Sequence, residues 1–189
     1  MKYPGGVKIT KSSYINYANR GMILEDEINL SNEYYRNLDI AYIYKKPTPI
    51  KITKIKYSSS KSGTIQEAFF EMPSTTDYNG IYKGWYVDFE AKETKNKTSF
   101  PLNNIHPHQI KHMMDVSRHG AICFLLVRFT LLNETYLLLA EDVRNFLEKE
   151  ERKSIPYSYF KEKGYLILDK YEPRVDYIKV IDSIMEVNK

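Results

Sequence analysis

The alternation of hydrophobic and polar residues is most regular over residues 85–92. This period of two is typical of a β-strand with one buried face. The apolar face carries Trp85, Val87, Phe89 and Ala91. The other face carries Tyr86, Asp88, Glu90 and Lys92. We expect the apolar face to join a core and the charged side chains to line up on the opposite side.

A candidate hydrolytic site follows from this charged face. Asp77 lies in the turn-rich segment 74–80 and could meet Glu90 across a hairpin. Two carboxylates that converge with the amine of Lys92 can hold Mg²⁺ and poise a water against a phosphodiester. The hydroxyls of the neighbouring threonines could complete an oxygen-rich shell. The alternative is an exposed strand face with ordinary salt bridges, and for Asp88 we expect a surface or supporting role.

Residues 51–57 show a different pattern, in which isoleucines and lysines occur on both faces of a strand. Such a strand is hard to bury on either side. The serine-rich segment 58–63 has the chemistry of a turn, after which the chain returns through hydrophobic residues. We predict a hairpin over about residues 50–72 that stands away from the core and carries lysines. An edge ribbon whose lysines only block aggregation is the alternative.

The remaining periodicity predicts the fold class. Helices are expected over residues 19–36, 107–118, 141–150 and 175–187. Strands are expected over residues 39–44, around Cys123, and over residues 135–139 and 165–168. Strands mixed with helices predict an α/β domain with a central mixed sheet that is covered on both faces. We assign residues 18–189 to this single domain and residues 1–17 to a flexible basic arm.

The amino-acid composition excludes only a few classes of function. The 28 Lys+Arg against 24 Asp+Glu permit a nucleic-acid partner without requiring one. The single cysteine, Cys123, excludes an intramolecular disulfide framework, suits a reducing compartment and lies in an apolar run typical of a core. The chain opens without a signal peptide, and its apolar runs are shorter than the roughly 20 residues of a membrane helix. We expect a soluble cytoplasmic protein.

A competing hypothesis is a zinc site. Three histidines share one face of the predicted helix 107–118 and its end: His108, His112 and His119. However, no thiolate completes the set, and Met113 and Val116 on the neighbouring face are better core candidates, which would carry Gln109 inward. The sequence also contains no Gly-x-Ser-x-Gly elbow and no glycine-rich phosphate loop, which argues against serine-nucleophile and nucleotide-driven chemistry.

Short motifs occur in a fixed order along most of the chain. They are NRGMILE at 19–25, KKPTP at 45–49, STTDYNGIYKG at 74–84, DFEAKET at 88–94, FPL at 100–102, NIHPHQ at 104–109 and PRVDY at 173–177. In this order they resemble the RecU family of Holliday junction resolvases. The resemblance covers about residues 17–184 and is far more specific than the spacing of the acids and the lysine alone.

The resemblance implies a homodimeric endonuclease with the restriction-endonuclease-like PD-(D/E)XK core. It implies that Asp77 and Glu90 bind Mg²⁺, with Thr75 and Gln109 as further ligands. Lys92 would orient the attacking water or stabilise charge on the phosphate. One or two Mg²⁺ ions would act at each site, and Mn²⁺ could replace them.

The resemblance also implies a role for the hairpin, which would enter the centre of a four-way DNA junction. Phosphate contacts would come from Lys51, Lys54, Lys56 and Lys61, with Arg20, Lys45 and Lys46 along the approach. Paired symmetric nicks by a two-fold dimer would serve recombination and repair, and the family also affects the RecA recombinase. The alternatives are a nuclease of the same fold that cuts ordinary duplex, and a junction-binding modulator of the recombinase with a silent site.

Overall fold

The computed structural model of the chain describes residues 22–59, 62–70, 75–168 and 170–187. Its helices are α1 (Met22–Asn37), α2 (Pro107–Arg118), α3 (Ala140–Lys149), α4 (Tyr157–Lys163) and α5 (Tyr177–Val187). Its strands are β1 (Tyr42–Lys45), β2 (Ile50–Ser59), β3 (Ser62–Phe70), β4 (Tyr78–Tyr82), β5 (Trp85–Thr94), β6 (Ser99–Pro101), β7 (Ile122–Phe129), β8 (Glu134–Leu139), β9 (Ser154–Pro156) and β10 (Tyr165–Ile167). None of the helices within these ranges is long and apolar enough to span a membrane. The predicted basic arm, residues 1–17, lies outside the described residues.

A six-stranded mixed sheet forms the centre of the fold, in the order β1–β4–β5–β7–β8–β10. Strands β5 and β7 are parallel, and the other neighbours are antiparallel. The parallel pair needs a crossover, which β6, a 3₁₀ turn (Leu102–Asn104) and α2 provide. The predicted α/β architecture with a central mixed sheet is confirmed.

Helices cover the two faces of this sheet with separate hydrophobic clusters. On one face, α1 and α5 pack on the sheet through Leu24, Ile28, Tyr35, Tyr177, Ile181 and Ile184. On the other face, α2, α3 and α4 pack through Met113, Val143, Phe146 and Phe160. Cys123 belongs to this second cluster and is buried as a free thiol, as expected. The strands that carry the candidate site are therefore fixed by packing from both sides.

Two details of the predicted strands are wrong. The expected strand over residues 39–44 begins only at Tyr42, because Asp39 has a φ of 55° and the N–H of Ile40 donates a hydrogen bond to the carbonyl of Tyr35. These residues close α1 instead. Trp85, expected to face the core, is 46% exposed. The first residues of β5 pair with β4 before β7 begins at Ile122, so Trp85 overhangs the buried part of the sheet.

Strands β2 and β3 form a hairpin of their own, outside the six-stranded sheet. Every side chain described in this hairpin is exposed. Its pattern of mixed faces explains this position, because neither face could be buried without also burying lysines. The prediction of a hairpin that stands away from the core is confirmed. Along the chain, the hairpin is inserted between β1 and β4.

Candidate active site

Asp77 and Glu90 lie side by side where β4 meets β5. Asp77 immediately precedes β4, and the antiparallel register pairs the next residue, Tyr78, with Phe89. The N–H of Asp77 donates a hydrogen bond to Glu90 Oε2 over 3.1 Å, and the N–H of Ala91 donates to Asp77 Oδ2 over 3.4 Å. The predicted meeting of the two acids across a hairpin is therefore present.

Lys92 completes this group. Its Nζ lies 3.7 Å from Asp77 Oδ2 and is in closer contact with Glu90 Oε1. Burial lowers the pKa of the Lys92 ammonium, but the charges of Glu90, Asp77 and, more weakly, Glu25 outweigh burial, so that the pKa is raised. Lys92 therefore stays protonated at neutral pH. It suits the stabilisation of negative charge on a phosphate and not the removal of a proton from water.

The donor set at this point fits Mg²⁺. The Glu90 side chain is completely buried. Burial and then the charge of Asp77 raise the pKa of Glu90 to about 8, although Lys92 acts in the opposite direction. Two adjacent carboxylates resist joint ionisation, and a divalent cation between them removes their repulsion. Carboxylate oxygens are hard donors of the kind that Mg²⁺ prefers.

The two further ligands that the resemblance implies have well-defined partners. The hydroxyl of Thr75 accepts a hydrogen bond from Lys46 Nζ at 3.1 Å. Gln109 is buried in the first turn of α2, where its Oε1 accepts the N–H of His106 at 2.9 Å and completes a capping box. Its inward direction, expected from the position of Met113, is confirmed. A ligand role for Thr75 and Gln109 stays a prediction.

The zinc hypothesis has no support in the described part of the chain, where no group of three or more His, Cys, Asp or Glu residues could hold a metal. The histidines make separate local contacts. The rings of His106 and His108 stack with 5.3 Å between their centroids, and His119 caps the end of α2. His112 Nε2 lies 3.4 Å from Asp88 Oδ2.

Asp88 is completely buried, so of the two roles expected for it the surface position is wrong, and the supporting role stays a prediction. One carboxylate oxygen lies 2.7 Å from Lys46 Nζ and accepts the hydroxyl of Tyr86 at 3.1 Å. The other accepts the hydroxyl of Thr76. The interpretation of this strand face as an exposed surface with ordinary salt bridges is wrong as well, because Asp88 and Glu90 are both 0% exposed.

The basic residues predicted to bind DNA occupy different environments. Lys51, Lys54 and Lys56 are exposed on the hairpin, where Lys54 Nζ lies 3.9 Å from Glu67 Oε1. Lys45 is 45% exposed and pairs with Glu25. Lys46 differs from all of these because its ammonium group points into the site. Arg20 and Lys61 lie outside the described residues.

The comparison with known protein families shows which family the chain belongs to. A family model described as "Recombination protein U" matches residues 19–183. The chain belongs to the RecU family. It is 51% identical to a protein of Geobacillus sp. (strain WCH70) and 47% identical to one of Bacillus cereus (strain AH820), both named "Holliday junction resolvase RecU". These alignments cover 97% of this chain in each case, and 97% and 98% of the two relatives.

A solved structure was also found. It is that of Archaeoglobus fulgidus Hjc, described as a Holliday junction resolvase from an archaeal hyperthermophile. The match has a TM-score of 0.40 and 13% identity, and it covers 70% of this chain and 92% of that one. This likeness is too weak to support a conclusion about function. Membership of RecU rests on the family model and on the close relatives.

The sequence did not predict the partners of several residues at this RecU site. The alternation already placed Asp88 and Tyr86 on the face of Glu90, but it could not show what covers that face. Lys46 lies 42 positions away from Asp88 in the sequence, so no local pattern links the two. Glu25 was part of a quoted motif without an assigned role, and the structure brings its charge close enough to act on Lys92.

Proposed function

We propose that this protein is a Mg²⁺-dependent endonuclease that resolves four-way (Holliday) DNA junctions by paired nicks in recombination and repair. The observation that carries the proposal is the convergence of Asp77, Glu90 and Lys92 at β4 and β5. It occurs in a chain that shares about half of its residues, over nearly its full length, with proteins named Holliday junction resolvase RecU.

Each residue of the site would have a separate task. Asp77 and Glu90 would ligate Mg²⁺, one ion or two, with Thr75 and Gln109 as further ligands, and Mn²⁺ could substitute. The bound ion would lower the pKa of a coordinated water and neutralise charge on the phosphate. The hydrogen bond from the N–H of Asp77 keeps Glu90 in place for this. Lys92, held protonated, would donate to the attacking water or to a phosphate oxygen.

The hairpin would provide selectivity for junctions. The hairpin lysines that the structure describes, Lys51, Lys54 and Lys56, are exposed and free of the core, as phosphate contacts in the central opening of a junction require. We assign these contacts to Lys51, Lys54, Lys56 and Lys61, with Arg20 and Lys45 along the approach.

A homodimer would match the substrate. Its two sites would act on two strands of like polarity, so that symmetric nicks leave ligatable products. The buried free thiol of Cys123 suits a reducing cytoplasm. An effect on the RecA recombinase stays a prediction.

The test is incubation with a labelled, immobile four-way junction and a linear duplex of matched sequence, each with Mg²⁺ and with EDTA. We expect symmetric nicks in the junction alone, and only with Mg²⁺. Tight binding of the junction without cuts would point to a junction-binding modulator of the recombinase. Equal cutting of both DNAs would point to a nuclease of the same fold that acts on duplex.

A further inference from the structure

One side chain fastens the base of the hairpin to the candidate active site. Lys46 directly follows β1, where the chain departs for the hairpin, and Thr75–Asp77 is the segment through which the chain returns to β4. The N–H of Lys46 donates a hydrogen bond to the carbonyl of Asp77 over 2.8 Å. Its Nζ donates to the hydroxyls of Thr75 and Thr76 over 3.1 and 2.6 Å. Lys46 therefore joins the outgoing and the returning chain.

Asp88 anchors this lysine from the interior of the sheet. The carboxylate of Asp88 is completely buried, lies 2.7 Å from Lys46 Nζ and also accepts the hydroxyl of Thr76, which is itself buried. Only 14% of the Lys46 side chain is exposed. Charges are retained in such positions only when they are paired and hydrogen bonded. Here Lys46 and Asp88 neutralise each other, and the Thr76 hydroxyl accepts a hydrogen bond from Lys46 and donates one to Asp88.

The ammonium group of Lys46 has no donor to spare for DNA. A lysine ammonium has three N–H donors. Thr75, Thr76 and Asp88 accept all of them. A phosphate could bind Lys46 only by displacing one of these acceptors, and displacement of Asp88 would leave a buried carboxylate without the ammonium group that lies 2.7 Å from it. Lys45, which is 45% exposed and pairs only at the surface with Glu25, has no such constraint.

We propose that Lys46 is a positioning residue for DNA cleavage and not a phosphate contact. It holds the segment Thr75–Asp77 against Asp88 and thereby sets the Asp77 carboxylate beside Glu90. Through the same contacts it couples the base of the hairpin to the metal ligands, so that the placement of the hairpin on a junction and the geometry of the site are linked. The inference rests on the proposed function and deepens it.

Single-turnover cleavage of a four-way junction, with enzyme in excess, tests this role. It separates the cleavage rate at saturation from the junction Kd and from the slope of log affinity against log salt. For Lys46→Met we expect a cleavage rate about 100-fold lower, since a misplacement of about 1 Å has that effect. The junction Kd and the salt slope stay at the wild-type value. Rescue of the rate by Lys46→Arg, which restores a cation beside Asp88, would add support.

Two other lysines serve as comparisons. Lys45→Met should weaken junction binding and reduce the salt slope by about 0.9, as expected for one lost phosphate contact. Lys83 is a matched control because its Nζ also pairs with an aspartate, at 2.6 Å from Asp182 Oδ1, but outside the site. Lys83→Met should leave the cleavage rate, the Kd and the salt slope unchanged.

A double variant, Lys46→Met with Asp88→Asn, guards against misfolding, because it also removes the buried negative charge that the single variant leaves without its lysine. A second readout needs no DNA: calorimetric titration with Mn²⁺ should show an affinity at least about 10-fold below wild type, the usual effect of losing a residue that orients a metal ligand. A folded double variant that cleaves at the wild-type rate, or that loses salt slope, overturns the proposal. If the wild type itself does not cut, the proposed function fails, and the Mn²⁺ titration still decides the role of Lys46.

Discussion

The backbone N–H of Asp77 donates a hydrogen bond to Glu90 Oε2 over 3.1 Å, so that one candidate metal ligand orients the other. The bond joins the turn before β4 to the middle of β5. Because its donor belongs to the main chain, a change of the Asp77 side chain leaves it in place. An asparagine at position 77 would also keep a side-chain oxygen that can accept the N–H of Ala91, so this substitution addresses the metal and not the local fold.

Asp77→Asn should abolish cleavage of a four-way junction and spare its binding. The variant loses an anionic ligand but keeps the shape of the side chain and the main-chain bond to Glu90. Removal of one negative charge beside the phosphates should leave the affinity equal or slightly higher. Cleavage with Mg²⁺ and gel-shift binding in EDTA measure the two effects. Loss of binding as well would count against the assignment of Asp77 as a metal ligand.

Glu90→Gln should raise the stability of the protein in EDTA and remove its response to Mg²⁺. Glu90 is completely buried beside Asp77, and a neutral amide of the same shape avoids the cost of burying that carboxylate. We expect Tm in EDTA to rise by about 3 °C or more. Mg²⁺ should raise the Tm of the wild type, because it binds only the folded state, and not that of the variant.

Glu67→Gln is the matched control for this change. Glu67 lies on the exposed hairpin, where the neutral amide does not relieve a cost of burying a carboxylate. Its Tm should equal that of the wild type with and without Mg²⁺. A Tm for Glu90→Gln that is lower in EDTA and still rises with Mg²⁺ would contradict the metal assignment.

The hairpin lysines should contribute unequally to junction binding. Substitution of Lys51 or Lys56 by alanine should reduce the slope of log affinity against log salt by about 0.9. Lys54→Ala should have a smaller effect, since Glu67 Oε1 lies 3.9 Å from its Nζ and competes with phosphate. Junction Kd values over a salt series measure the slopes. If all three slopes equal that of the wild type, the lysines serve only to block edge aggregation.

Gly80→Ala should unfold the edge of the sheet that carries the site. A Cβ at this position would lie 2.1 Å from the carbonyl oxygen of Tyr42 and 2.6 Å from Cα of Ile43, so the backbone of β1 must move. We expect a loss of about 3 kcal/mol or more in the free energy of unfolding. Cleavage should fall with it, because Lys46 follows β1 directly and bonds to Asp77. Urea denaturation and the junction assay measure the two losses.

Gly84→Ala provides the comparison for this prediction. Gly84 has a φ of +82° and open space around it, so an added Cβ strains only the local backbone. Its cost should be about 1–2 kcal/mol. If Gly80→Ala is no more destabilising than Gly84→Ala, this result would contradict the close approach of β1 to β4 at Gly80.

Cys123 should not react with iodoacetamide in the native protein. Burial, and then the negative charge of Asp88, raise the pKa of this thiol to about 12. The reactive thiolate is therefore a small fraction of the thiol at pH 8, and burial also keeps the reagent away from the sulfur. Mass spectrometry should find no label at pH 8 and one label per chain after unfolding in guanidinium. Rapid labelling of the native chain would mean that the cluster under α2 opens.

The sequence by itself determined the features that depend on neighbours in the chain. Helix α2 spans Pro107–Arg118, as its periodicity and first-turn proline predict, and the alternation in β5 assigns Glu90 and Lys92 to one face. The mixed pattern of the hairpin predicts its separation from the core. The meeting of Asp77 with Glu90 was also predictable, because a hairpin brings adjacent segments together.

Only the tertiary structure decided what covers these faces. Alternation assigns a side chain to a side of a strand, but it does not show whether that side meets solvent, a helix or a distant lysine. Asp88 is buried because β1 docks beside β4 and delivers Lys46 from 42 positions away in the sequence. A buried carboxylate is tolerated only with such a partner. Contacts of this kind arise from the order of strands in the sheet, which long-range packing selects and local periodicity does not encode.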